Sequence, residues 1–208
     1  SIIVHYGMQR RSPLPAHLSF TEPLMIPSRL ILLPCAALLL AGAASTQVLP
    51  DRAALGGNQN STLIETFETY NIGAGLAEPT NVTVLNSSTV ANGQGPGLVL
   101  GGCTYSASGI NLYWNGQGYY GMPSKNIEAD GLLTLSYSPP VTVTGLELHA
   151  FQGYPDSTIV RVYNGSGGLI YTSSPIAVPG PSPVFFGYSA ASIGSVTIQS
   201  QTYSWSTL

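Results

Sequence analysis

The regular alternation of apolar and polar positions is plainest at 132–138, "LLTLSYS". There Leu133, Leu135 and Tyr137 point one way and Thr134 and Ser136 the other. A period of two marks a half-buried strand. Pro139-Pro140 follows and predicts the end of that strand, because proline has no N–H for a ladder. "VTVTGLELHAF" (141–151) predicts the next strand, with Gly145 as a bulge inside it. It sets Leu146 and Leu148 on one face and Glu147 and His149 on the other. "STIVRVYN" and "LIYTSS" flank Asn164-Gly-Ser-Gly-Gly168, a hairpin signal. "PVFFGYS" and "GSVTIQS" complete the set as two further strands. Upstream, "TLIETFET", "NVTVL", "GLVLGG" and "YSASGINLYW" are shorter candidates. No stretch of the expected mature chain carries a convincing helical period. Short strands at intervals of about ten residues predict an all-β, jelly-roll-like antiparallel β-sandwich over residues 62–208.

Before that domain the pattern changes. "LILLPCAALLLAGAA" (30–44) holds fifteen residues without a charge, short of the roughly 20 that a membrane-spanning helix needs. Arg29 precedes it and small residues end it, the parts of a secretory signal. Residues 25–44 are therefore expected to be a signal peptide, cleaved after Ala43 or Ala44. Residues 1–24 are an upstream segment outside the mature protein, and 45–61 a flexible lead-in without periodicity. The expected location is secreted or cell-surface, with no membrane span in the mature chain. Cys35 leaves with the signal. Cys103 remains as a single thiol, read as a small buried hydrophobe, and no internal disulfide is expected.

Composition narrows the class. Charged residues are 7% of the chain, against about a quarter in an average soluble protein. With 44% hydrophobic residues and a net charge of -3, disorder is disfavoured. No basic patch is present to neutralise phosphates, so nucleic acid is not an expected partner.

Candidate chemistry centres on "NLYWNGQGYYGMPS" (111–124). Gly116-Gln-Gly118-Tyr-Tyr-Gly121 matches G-x-G-x-x-G in form. A dinucleotide loop needs a helix after it, and Met122 onward has no apolar helical period. Asn115-Gly116 is read instead as a type I′ hairpin turn. The crowd of aromatics then offers a sugar platform: Tyr113, Trp114, Asn115, Tyr119 and Tyr120 are the candidate ligand-binding residues. The expected partner is an extracellular polysaccharide or a cell-surface glycan. Adjacent strand residues face opposite sides, so at least one of Tyr113 and Trp114 is expected in the core.

Other constellations carry less. Gly187-Tyr-Ser189-Ala-Ala191 approaches the esterase elbow but joins two strands of an all-β domain. Glu147 and His149 lack a third metal ligand, and His149 is read onto a solvated face. Glu65 with Glu68, or Glu128 with Asp130, could pair for glycoside hydrolysis, but no geometry places either pair. Four sequons begin at Asn60, Asn81, Asn86 and Asn164. No catalytic residue, metal site or cofactor is assigned.

"LTLSYSPPVTVTGLEL", "STIVRVYNGSGGLIYTSS" and "VFFGYSAASIGSVTIQS" together resemble a group of exported bacterial β-sandwich domains found in proteins with a PEP-CTERM sorting tail. "ETFE" at 65–68 resembles the opening strand of that group. The resemblance implies a non-enzymatic surface or extracellular-matrix protein of jelly-roll type, with no catalytic residues to carry over. It also implies a further strand after "SWSTL", so the domain is expected to be truncated before its last strand. A carbohydrate-binding module, or a domain of a secreted carbohydrate-active enzyme, is the alternative. A structural coat or filament subunit is a third reading.

Overall fold

The computed structural model describes residues 46–55 and 65–208. The expected signal peptide, its cleavage site and the segment upstream lie outside the described residues, as does residue 56–64 with the Asn60 sequon.

The described residues are all-β, as the alternation predicts. Among the described residues, twelve strands form two antiparallel sheets. The larger sheet runs β10 (Ile176–Val178), β8 (Asp156–Tyr163), β11 (Val184–Ser200), β7 (Leu133–Leu148), β4 (Cys103–Ala107), β3 (Val84–Leu85). Two strands stand off that path: β1 (Gln47–Leu49) pairs with β11, and β9 (Leu169–Thr172) with β8. The smaller sheet runs β12 (Trp205–Thr207), β6 (Asn126–Asp130), β5 (Leu112–Asn115), β2 (Ala77–Pro79). Among the described residues no helix is long and apolar enough to cross a membrane.

The core joins the inner faces of both sheets. Leu133, Leu135 and Tyr137 of β7, Val160 and Val162 of β8, and Val196 and Ile198 of β11 come from the large sheet. Leu112, Trp114, Ile127 and Ala129 come from the small one. Trp114 is wholly buried, its Nε1 donates to the Phe67 carbonyl at 3.1 Å, and Tyr70 stacks on it at 4.7 Å. At about 25 cal/mol per Å², an aromatic burying about 150–250 Å² contributes roughly 4–6 kcal/mol.

Several local rules give way to tertiary context. Pro139-Pro140 does not end a strand: β7 runs through it for 16 residues. Residues 138–140 are exposed, and the β7–β11 register shifts between Val143 and Ser136, so no ladder N–H is missed there. "VFFGYS" and "GSVTIQS" are likewise one strand, β11, with the same irregularity in its middle. The elbow-like Gly187–Ala191 therefore lies within a strand rather than between two.

Gly145 is not the bulge. It stands in register with Gly187, and a Cβ on Gly187 would meet the Phe185 ring at 2.7 Å and Leu49 Cβ at 2.9 Å. Both glycines make room for residues read as lead-in. Gln47–Leu49 pair with Gly187–Ser189 as β1, and Leu49 and Leu55 pack on Val143 and Phe185.

The stretches "TLIETFET" and "GLVLGG" form no strand among their described residues. Buried Glu65 holds them together instead, accepting from Phe67 N at 2.8 Å and Leu100 N at 2.7 Å. Cys103 is a buried thiol on β4, as read. His149 is a correction: it is 3% exposed rather than solvated, with Nδ1 3.1 Å from the Pro181 carbonyl. Glu147 pairs with Arg52 at 3.1 Å. Among the described residues no acidic, histidine and cysteine side chains gather as a metal cluster.

Candidate functional site

The small sheet has two faces, and the pleat sorts them. Leu112, Trp114, Ile127 and Ala129 point into the core, so Tyr113, Asn115, Asn126, Glu128 and Asp130 belong to the opposite face. In the β5–β6 ladder Tyr113 stands directly across from Glu128, and Asn115 across from Asn126. In β12, Trp205 stands across from Asp130 and Thr207 from Glu128.

Three loops bring aromatics to this face. The β5–β6 connection supplies Tyr119 and Tyr120 on a 3₁₀ turn, Tyr119–Gly121. Its shape depends on Gly118 at φ 84 and Gly121 at φ 80, with Tyr120 itself left-handed at φ 41. The Asn115-Gly116 turn expected from the sequence is absent. Asn115 ends β5, and Gly116 is required by packing, since a Cβ there would lie 2.2 Å from the Gly73 carbonyl oxygen. No helix follows the G-x-G-x-x-G run, so no phosphate cradle forms.

The β7–β8 connection supplies Phe151 and Tyr154 and is tied to the first loop by Gln152 N donating to Tyr120 O at 2.9 Å. The β11–β12 turn supplies Tyr203, with Trp205 at the start of β12. Ser200 Oγ organises that turn, accepting from Tyr203 N at 2.8 Å while donating to Asp156 Oδ1 at 2.7 Å.

The six rings form one connected series. Tyr119 meets Tyr120 edge-on at 4.7 Å, and Tyr120 lies 5.2 Å from Phe151 and 5.9 Å from Tyr154. Tyr154 continues to Tyr203 at 6.3 Å, and Tyr203 stacks on Trp205 at 4.8 Å. Tyr119, Tyr120, Glu128, Phe151, Tyr154 and Trp205 line an open cleft of about 240 Å³. Tyr120 is 50% exposed and Tyr154 45%, so both are open to solvent at the cleft.

Glu128 is the polar group of the cleft. Burial pushes its carboxyl up to about 7; the hydrogen bond from Asn115 Nδ2 (3.1 Å) works against that rise, and the charge of Asp130 adds to it. Burial also raises the Tyr119 hydroxyl, and the Glu128 charge raises it further.

The sequence-predicted residues therefore divide. Tyr119 and Tyr120 line the cleft, and Tyr113 flanks Glu128 on the same face. Trp114 is a core residue on the far side of the sheet. Asn115 is wholly buried and acts on Glu128 rather than on solvent, its Nδ2 also donating to Asn126 Oδ1 at 2.9 Å. Sequence reasoning names Glu128 only as a candidate carboxylate partner of Asp130, and it misses Phe151, Tyr154, Tyr203 and Trp205. "FQGYP" and "TYSW", aromatics set among turn residues, were the available signal.

No protein-family model, no curated protein and no solved structure matches this chain.

Proposed function

We propose that this chain is an exported, non-enzymatic β-sandwich of the cell surface or extracellular matrix that contacts glycans through the aromatic cleft. The observation that carries this reading is the connected series of six rings, five of which line the cleft together with Glu128. A sugar ring has an apolar C–H face that packs on an aromatic face, and hydroxyls that need polar partners. Tyr120 and Tyr154 supply the first, Glu128 the second. Export is supported by the basic, apolar and small-residue order of residues 25–44 and by the resemblance to sorted surface domains.

One observation favours the alternative, a domain of a secreted carbohydrate-active enzyme. A carboxyl raised to about 7 is placed to act as a general acid near neutral pH. Glycoside hydrolysis needs a second carboxylate across the scissile bond. Asp130, whose charge Glu128 feels, lies on the same strand.

The full chain is screened on a glycan array and the hits are measured by calorimetry. Tyr120→Ala with Tyr154→Ala is expected to weaken binding at least about ten-fold while the melting temperature hardly moves, since both rings are half-exposed. Absence of glycan binding overturns the reading. Release of reducing ends from a bound glycan, lost in Glu128→Gln, decides for the enzyme.

A further inference from the structure

The cleft is aromatic and acidic, and the described residues that line it include no lysine, arginine or histidine. Among the described residues Arg52, Lys125 and Arg161 are the lysine and arginine side chains. Arg52 is engaged by Glu147 at 3.1 Å and Arg161 by Gln199 at 2.9 Å. Lys125 directly precedes β6, yet its ammonium donates to the Tyr70 and Glu68 carbonyls at 2.8 and 3.1 Å. Glu128 thus sits half-buried with Asp130 two residues away on the same face and Tyr113 across the ladder. Tyr119 stands at the rim and Thr207 on the β12 side.

Resting on the glycan-binding reading, we propose that the cleft selects a cationic amino sugar, its ring stacked on Tyr120 and Tyr154 and its ammonium against Glu128. Three features converge on this chemistry. Aromatic faces carry negative potential and attract an ammonium group. A half-buried carboxylate without a basic partner is destabilised by lost hydration, which an arriving cation offsets. Asp130 repels an acidic sugar and adds to the attraction for a basic one. A uronic acid meets like charge here, and a neutral sugar leaves the carboxylate uncompensated. Burial pushes the Glu128 carboxyl up, and the charge of Asp130 pushes the same way, so a cation seated beside it would be favoured.

The test compares three oligosaccharides by calorimetry on the full chain. A β-1,4-glucosamine hexamer carries the charge, its N-acetylated counterpart has the same backbone without it, and cellohexaose carries hydroxyls alone. The expected result is a glucosamine hexamer bound at least ten-fold tighter than either, with the margin shrinking as salt is raised and vanishing in Glu128→Gln. Asp130→Asn, which leaves Glu128 in place, is expected to reduce the margin without removing it. Equal affinity for the three hexamers, or a margin that survives Glu128→Gln, overturns the amino-sugar proposal and leaves the glycan reading standing. Choline bound as tightly as the glucosamine hexamer overturns it too, because any ammonium then suffices. No binding by the three hexamers, nor by any array glycan, removes both.

Discussion

Asn115, with no solvent exposure of its own, donates its side-chain amide to Glu128 Oε2 at 3.1 Å across the β5–β6 ladder. The same amide holds Asn126 Oδ1 at 2.9 Å. A residue type common in sugar recognition thus acts one step behind the cleft, orienting and stabilising its carboxylate. Two opposing effects set the state of Glu128. Burial favours the neutral acid, the Asn115 bond favours the charged form, and burial wins.

Removing the Asn115 donor shifts that balance. Asn115→Ala is expected to raise the Glu128 carboxyl further, read by NMR titration of its side-chain carbon. It also leaves Asn126 Oδ1 short of a donor, at a cost of about 1–3 kcal/mol. A Glu128 titration that stays put or moves to lower pH refutes the coupling.

Glu128 and His149 impose opposite pH trends on stability. The folded Glu128 keeps its proton up to about 7 against an ordinary value of 4.5, so the folded chain holds the extra proton between those values. Stability from this group is present below 4.5 and lost as pH rises to 7. Burial lowers His149 from 6.5 to about 4, so there the unfolded chain holds the extra proton. Its contribution is present above 6.5 and lost as pH falls toward 4. Each is worth up to about 3 kcal/mol. Glu65, also raised by burial, adds to the Glu128 trend. Chemical denaturation of Glu128→Gln should show stability rising steeply from pH 4 to 6.5. His149→Asn should show it falling across pH 4.5 to 7. Parallel profiles in the two variants would refute the assignment.

Trp114 and Tyr120 separate structure from binding. Trp114→Phe keeps most of the packing but leaves the Phe67 carbonyl without its indole donor. A loss of about 1–3 kcal/mol in unfolding free energy is expected, with glycan affinity unchanged. Tyr120→Ala is expected to do the reverse. A Trp114→Phe variant that loses binding at unchanged stability would contradict the placement of this residue on the core face.

The proposed export predicts a mature N-terminus at Ala44 or Ser45, read by N-terminal sequencing of secreted protein; an intact chain that keeps residues 30–40 in the membrane fraction would refute it. Either cut leaves β1, which begins at Gln47. Deleting Gln47–Leu49 is expected to lower the melting temperature, because Val143 and Phe185 lose their cover from Leu49. A deletion without effect on melting would show β1 to be dispensable.

The period-two alternation in 132–138 and the Asn164–Gly168 turn chemistry determined by themselves that this chain is all-β and where its β8–β9 hairpin closes. Both signals are local: a side chain's face follows from its neighbours, and a turn from residues that tolerate its dihedrals. Tertiary structure decided what local rules could not reach. Pro139-Pro140 continues β7 because the partner register shifts where the missing N–H would otherwise be needed. Trp114 rather than Tyr113 became the core residue because the large sheet packs on the face of the small sheet that carries Leu112, Trp114, Ile127 and Ala129. The cleft itself draws on residues 119–120, 128, 151–154 and 203–205, far apart along the chain. Apart from Glu128 on the interior strand β6, each is an ordinary loop or edge residue until three connections are set side by side. The proximity of their rings to Glu128 is a property of the packed sandwich, not of any stretch of sequence.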